Sequence, residues 1–232
     1  GLYGACSTFV EGLVLASALI SAGQLDNALC AASSHFCTAE RQFRFPLEMG
    51  TQRPPSAHWT ATAAGCALLR AQDAPGLHVT AGTLGCIVDY RIKDANHMGA
   101  AMAPAVHSTI CTHLDDTGAS ADDFDLIATG DLGWIGRDIL IELFRRSGRR
   151  MPPEKLVDCG ASLFYQEQDA HAGGSGCGCV AAVSCGWLMK RMEAGELRRV
   201  RIVGSGAMLS PTSTQQAESI PGIAYAARLE VK

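Results

Sequence analysis

ACSTFVEGLVLASALISAGQL, residues 5–25, and CGCVAAVSCGWLMKRMEAGEL, residues 177–197, follow one pattern at two places 172 residues apart. Each opens on small residues and cysteine, Ala5-Cys6-Ser7 against Cys177-Gly178-Cys179. Leu13, Ala16 and Ile20 then stand opposite Cys185, Leu188 and Met192, an apolar face at helical spacing. Ala22-Gly23-Gln24-Leu25 matches Ala194-Gly195-Glu196-Leu197, with the glycine placed to end a helix. An apolar strand follows each, over 27–33 and 200–205. Helix, stop and strand recurring in register predict an internal duplication.

The second copy has an upstream part that the first lacks. Between Leu77 and Gly176 the pattern predicts strands over 77–88, 125–129 and 155–159, with helices over 98–113 and 135–146. Asp116-Thr117-Gly118 and Pro152-Pro153 punctuate them. Strands alternating with helices imply an α/β fold with a mostly parallel sheet. If the copies were once equal, roughly 80 to 100 residues of the first are missing before Gly1, because repeats share one architecture. The break falls near Asp73-Ala74-Pro75-Gly76, giving units 1–75 and 76–232. The stretch 34–59, with Pro46, Gly50, Pro54 and Pro55, reads as a long loop of the kind that is more often functional than idle.

A chain of 232 residues, 47% apolar and 18% charged, buries a sizeable core. Its 19 Lys and Arg against 23 Asp and Glu, with no basic tract, exclude nucleic acid as the main partner. The 10 cysteines lie in apolar segments such as Ala28-Leu29-Cys30, which fits a reducing, cytoplasmic compartment better than a disulfide scaffold. Residues 13–20, the most apolar helical stretch, fall short of the roughly 20 needed to cross a bilayer. No signal peptide precedes them, so any membrane association is expected to be peripheral.

Cys6 sits where a helix begins, and a helix N-terminus favours a thiolate, so the position suits a nucleophile as well as a buried structural cysteine. A thiolate site needs a base. His35, His97 and His171 adjoin turns, while His107 and His113 fall within a helix. His171 precedes Ala172-Gly173-Gly174-Ser175-Gly176, a turn that either presents backbone N–H groups to an anion or packs two helices closely. The run lacks the spacing of a dinucleotide fingerprint, and Cys177 and Cys179 are too close for half a zinc site. No cofactor or metal is implied. Asp131, at the C-terminal end of a strand, is placed to orient a ligand or to cap the next helix. Arg41, Arg44 and Arg53 either hold a carboxylate or pair with Glu40 and Glu48 or with a second subunit.

Several long motifs resemble the stage V sporulation protein AD family of spore-forming bacteria. They are Gly4-Ala5-Cys6-Ser7-Thr8, Ser33-Ser34-His35, Thr38-Ala39-Glu40-Arg41-Gln42-Phe43-Arg44 and Met98-Gly99-Ala100-Ala101-Met102-Ala103-Pro104-Ala105. Thr129-Gly130-Asp131-Leu132, Ala172-Gly173-Gly174-Ser175-Gly176-Cys177 and Gly206-Ala207-Met208-Leu209-Ser210-Pro211-Thr212 complete the set. More distantly the family is similar to the thiolase superfamily and its ketoacyl carrier-protein synthases III. That resemblance implies duplicated βαβαβαββ halves in five αβαβα layers, the N-terminal half truncated, and a homodimer. It places the synthase nucleophile at Cys6, oxyanion donors at the N–H groups of Cys6 and Gly206, and the synthase His and Asn near Gly130 and Gly174. With glycine at both, Cys6 is expected to be vestigial as a catalyst. The family resemblance implies binding of dipicolinic acid or its calcium chelate and its uptake into the developing spore. It also implies a link to germination, partner membrane proteins of the same sporulation group, and a cytoplasmic or peripheral place on the spore inner membrane. Cys6, His35, Asp131, His171, Gly174, Ser175 and Gly206 are the expected ligand-binding residues. The alternative is an active acyltransferase or thioesterase with Cys6 as nucleophile and His35 or His171 as substitute base.

Overall fold

In the computed structural model, which describes residues 1–232 except 38, 47, 49, 51, 72 and 73, the duplicated unit opens the chain. Thr38, Asp73 and the side chain of Glu40, which the sequence reading used, lie outside the described residues. α1 (Thr8–Ser21) buries Phe9, Val10, Leu13, Val14 and Ala16. Gly23 closes it at φ +70°, a left-handed conformation that glycine adopts without steric cost. β1 (Asn27–Ser34) follows, then β2 (Trp59–Thr60), β3 (Ala63–Arg70) and β4 (Leu77–Leu84).

α2 (Met98–Thr117) and β5 (Leu126–Thr129) come next, then α3 (Gly133–Arg146), β6 (Leu156–Asp158), the short α4 (Cys159–Leu163) and β7 (Gly174–Ser175). α5 (Cys177–Val183) runs through a π turn at Ser184–Leu188 into α6 (Met189–Glu193), which Gly195 closes at φ +76°. β8 (Arg199–Ala207), α7 (Pro211–Gln215) and β9 (Gly222–Val231) end the chain. Asn27 and Arg199, which start β1 and β8, are 172 residues apart like the two capping glycines, and each strand pairs antiparallel with its copy's last strand.

Five strands form one sheet in the order β4-β9-β8-β5-β6. β8, β5 and β6 are parallel, and β9 runs antiparallel to both its neighbours. Alternation along β8 sends Val200 and Ile202 to one face and Val203 to the other. Val203 joins Met102, Val106 and Ile110 of α2 and Leu140 and Phe144 of α3. Val200 and Ile202 join Phe9 and Leu13 of α1 and Val180 of α5. Cys30, Ala67 and Leu69 of the β1–β3 pair cover the far side of α1 and α5. The described residues thus stack α2/α3, five-stranded sheet, α1/α5 and β1–β3, which is four of the five expected layers. On the outer face of the last, Leu29 and Leu68 are exposed.

The layers meet backbone to backbone. A Cβ on Gly65 of β3 would lie 2.4 Å from the Ala181 carbonyl of α5, and one on Gly178 would lie 2.1 Å from the Ala63 carbonyl. β4 stops at Leu84 rather than reaching Val88. At Gly85 the chain presses on β9, where a Cβ would meet the Ala224 carbonyl, and Val88 keeps only an isolated bridge to Gly222. β3 and β9 escape the sequence reading because their alanine-rich runs carry few of the β-branched residues that mark strands.

Where α2 covers the sheet, the Thr83 hydroxyl lies 2.8 Å from His113 Nδ1, and the Arg201 guanidinium lies 4.0 Å from the centroid of the Phe124 ring. Burial, with Arg201 and Arg228 nearby, lowers the His113 pKa to about 4. Two outcomes follow. Gly65→Ala is expected to lower stability by about 1 to 3 kcal/mol in denaturant titration, because a backbone group, not a mobile side-chain end, occupies the space. The folded state refuses a proton that the unfolded chain accepts at His113, so its contribution is complete above pH ~6.5 and lost as pH falls toward 4. Urea midpoints across that window should fall, by up to about 3 kcal/mol in stability from this residue, and His113→Gln should flatten the fall.

Candidate functional site

The site is built from the ends of elements. Asp158, the last residue of β6, is buried, and its carboxylate accepts from the Thr129 hydroxyl (2.6 Å) and the N–H groups of Leu132, Gly133 and Ala161 (each 2.9 Å). Those bonds fix the turn between β5 and α3. They also cap α3, so Asp131 is not its cap. Asp131 instead points inward at 1% exposure. Its Oδ2 accepts from the Ser175 hydroxyl at 2.5 Å and Gly176 N–H at 3.1 Å, and its Oδ1 from the Ser205 hydroxyl at 3.0 Å.

Ser175 Oγ lies 3.7 Å from Cys6 Sγ. Because the serine's single proton goes to Asp131, the thiol is the donor of that contact. Cys6 is reached through Ala5, which adopts φ +51°, a conformation rare for a residue with a side chain. Burial pushes the Cys6 thiol well above the ordinary cysteine range; Asp131 and Cys177 push the same way, and Arg44 opposes them. This corrects the expectation of a thiolate at a helix N-terminus. The first N–H groups there, those of Ser7 and Thr8, already donate to the carbonyls of Gly4 and Ala5.

The Gly-rich turn is corrected in the same way. Ala172 and Gly173 N–H donate to the carbonyls of Ala57 and Ala170, Gly176 N–H to Asp131 and Gly178 N–H to Ser34 Oγ. Of these donors Gly176 N–H meets an anion, and that anion is the side chain of the protein's own Asp131.

The other expected residues separate. Gly206 lies against the Cys6 turn, where a Cβ would sit 2.4 Å from Gly4 O. Gly174 pairs with Trp59 in the parallel β2–β7 ladder and packs toward Leu163 and Phe164. His35 follows β1 and is exposed, its Nδ1 accepting from Cys37 N–H at 3.1 Å. His171 Nδ1 is 2.9 Å from the Pro54 carbonyl and Nε2 is 3.5 Å from Asp169, so the ring ties the long loop to the Gly-rich turn. Of the arginines, Arg41 pairs with Glu48, Arg53 Nη2 donates to Asp169 O at 2.9 Å, and Arg44 Nε donates to Thr60 Oγ1 at 2.5 Å.

His58 joins the site without having been singled out from the sequence. It is 3% exposed, its Nε2 is 3.1 Å from Leu132 O, and burial lowers its pKa to about 4 while Asp131 acts the other way. Arg44 acts on both His58 and Cys6. The one signal in the sequence is a histidine amid Ala57, Trp59 and Thr60 at the end of a proline-rich stretch. Among the described residues no three His, Cys, Asp or Glu are grouped to hold a metal, and no helix is long and apolar enough to cross a membrane.

Residues 1–230 match the family model described as stage V sporulation protein AD. The chain is 44% identical over 225 residues to "Stage V sporulation protein AD" of Bacillus subtilis (strain 168), a match covering 97% of this chain and 66% of that protein. The chain thus spans just under two thirds of the length of that relative. Among solved structures it is similar to 3-oxoacyl-(acyl carrier protein) synthase III, FabH, from Pseudomonas aeruginosa PAO1. That match has a TM-score of 0.61 at 16% identity, over 99% of this chain and 66% of that one. AbyA1, a tetronic acid condensing enzyme, gives a TM-score of 0.60 at 15% identity, over 99% and 67%. The synthase III of Aquifex aeolicus VF5 gives 0.56 at 12% identity, over 97% and 65%. At these identities the likeness is one of fold, the thiolase-like fold.

A protonated Cys6 should alkylate slowly. At pH 7.5, peptide mapping after iodoacetamide is expected to show Cys6 reacting at least about tenfold more slowly than the exposed Cys37, Cys66 and Cys86, with the rate still rising above pH 9. Asp131→Asn removes a charge that disfavours the thiolate and should speed Cys6 alone.

Proposed function

Because the chain belongs to the stage V sporulation protein AD family, we propose that it serves sporulation as a binding protein for dipicolinic acid or its calcium chelate. The bound ligand is taken up into the developing spore. One observation supports the reading: Cys6 faces the Ser175 hydroxyl, which is itself bonded to Asp131, and burial together with that carboxylate favours the neutral thiol over the thiolate. Condensation needs a thiolate and a general base, which contributes on the order of 10² to 10⁴ in rate. Binding needs neither.

A flat aromatic dicarboxylate needs charge for its carboxylates and neutral walls for its ring. Arg44 supplies the charge and a planar fork suited to a carboxylate. The Cys6 thiol and the Thr60 side chain supply uncharged wall. Asp131, with its two oxygens already accepting three donors, is suited to face the calcium side of the chelate rather than a bare carboxylate. We place the protein, as a homodimer, on or near the spore inner membrane beside membrane proteins of the same sporulation group.

Calorimetric titration of the full-length protein with dipicolinate, with and without calcium, tests this. Saturable binding is expected, weakened at least about tenfold in Arg44→Ala and measurably in Ser175→Ala and Cys6→Ala. Incubation with acyl-CoA should leave the intact mass unchanged. No saturable binding, or an acyl adduct lost in Cys6→Ser, would overturn the reading, the second in favour of an acyltransferase.

A further inference from the structure

The two-residue β2–β7 ladder has two faces. Thr60 lies in register with Ser175, so their side chains leave the ladder on the same side. His58, two residues before Thr60, leaves on that side too, whereas Trp59 leaves on the other and stacks on Phe36 with ring centroids 5.2 Å apart. The first side is the one on which Ser175 reaches Asp131 and approaches Cys6, and on which Arg44 reaches Thr60. His58 therefore lies on the side of the ladder that carries Ser175 and Thr60, the side that Arg44 reaches through its bond to Thr60.

Its protonation follows from its bonds. Leu132 O can only accept, so Nε2 carries the proton in the neutral ring. Nδ1 is then a bare lone pair, buried and, among the described residues, without a hydrogen-bond partner. Among the described residues, Asp131 favours protonation of the ring, and Arg44 and His97 oppose it. The Leu132 carbonyl favours it as well. Asp158, the next carboxylate, is engaged with the N–H groups of Leu132 and Gly133. Burial keeps the ring neutral. A carboxylate brought to Arg44 adds an anion beside this ring, and a lone pair facing an anion is unfavourable while an N–H is a donor to it.

We propose that His58 takes up one proton at Nδ1 when a dicarboxylate ligand binds, and so becomes a second cationic donor beside Arg44. The proton comes from solvent, no bond other than N–H is formed or broken, and the Nε2–H bond to Leu132 O is kept. This rests on the binding role proposed above. It makes occupancy pH-dependent even though the ligand's carboxylates stay ionised. While the free ring is neutral and the bound ring charged, Kd should weaken by up to about tenfold for each unit that pH rises.

Calorimetry on the full-length protein with sodium dipicolinate at pH 6.5, in buffers of different ionisation enthalpy, reads the proton count directly. The dependence of the heat on buffer should correspond to uptake of about half to one proton for the natural chain and near zero for His58→Gln. His58→Gln should also bind at least about tenfold more weakly at pH 6 and with little pH dependence. Saturable binding with no proton uptake, or with the same uptake in His58→Gln, overturns this inference and leaves the binding role standing. Absence of saturable binding overturns both. If His58→Gln does not fold, the natural chain decides. A Kd that weakens from pH 5.5 to 7.5 together with buffer-dependent heat supports the inference, and a flat Kd with buffer-independent heat rejects it.

Discussion

Four donors on one buried carboxylate, that of Asp158, fix the geometry on which the rest of the site depends. They come from the end of β5, the start of α3 and the first turn of α4, so a single side chain at the tip of β6 aligns three elements. The turn they hold presents Asp131, Asp131 holds Ser175 and Ser205, and Ser175 reaches Cys6. Burial pushes the Asp158 carboxyl above its usual range against the pull of these bonds. Removing the carboxylate would strand several buried donors at once, and an unpaired buried donor is costlier than the bond it made was favourable.

The same network explains why a condensing fold here frames a quiet cysteine. A helix N-terminus helps a thiolate only through N–H groups that are free to face it. At α1 the first of them are taken by the Gly4–Ala5 turn, and at the Gly-rich turn before α5 they are taken by protein carbonyls, Ser34 and Asp131. What remains near the sulfur is desolvation and a carboxylate, both of which favour the neutral thiol. Positive charge reaches the site from the long loop instead, through Arg44.

Much of this fold was legible in sequence because it is periodic. The helices at 8–21 and 98–117 announce themselves by apolar spacing, the capping glycines mark their ends, and the alternation through 77–176 gives the parallel strands. Cys6, Asp131 and Ser175 were legible because each stands at a junction of strand, turn and helix. His35 and His171 attracted attention for their neighbours along the chain, yet one is exposed and the other is bonded to Pro54. His58 and Asp158 were illegible for the opposite reason. Their roles come mainly from pairings across 74 and 25 to 29 residues, which leave no local pattern. β3 and β9 hid in alanine-rich runs whose strand character comes from the partner, not from propensity.

The duplication itself ends in asymmetry. The position 172 residues after Cys6 is Gly178, and there the Ala63 carbonyl and Ser34 N–H leave no volume for any side chain. One copy carries a sulfur at that position, 3.7 Å from Ser175 Oγ, while its counterpart has closed it to join helix and sheet. Two related halves are therefore not interchangeable: the duplication places a thiol on one side of the central packing and none at the matching position of the other.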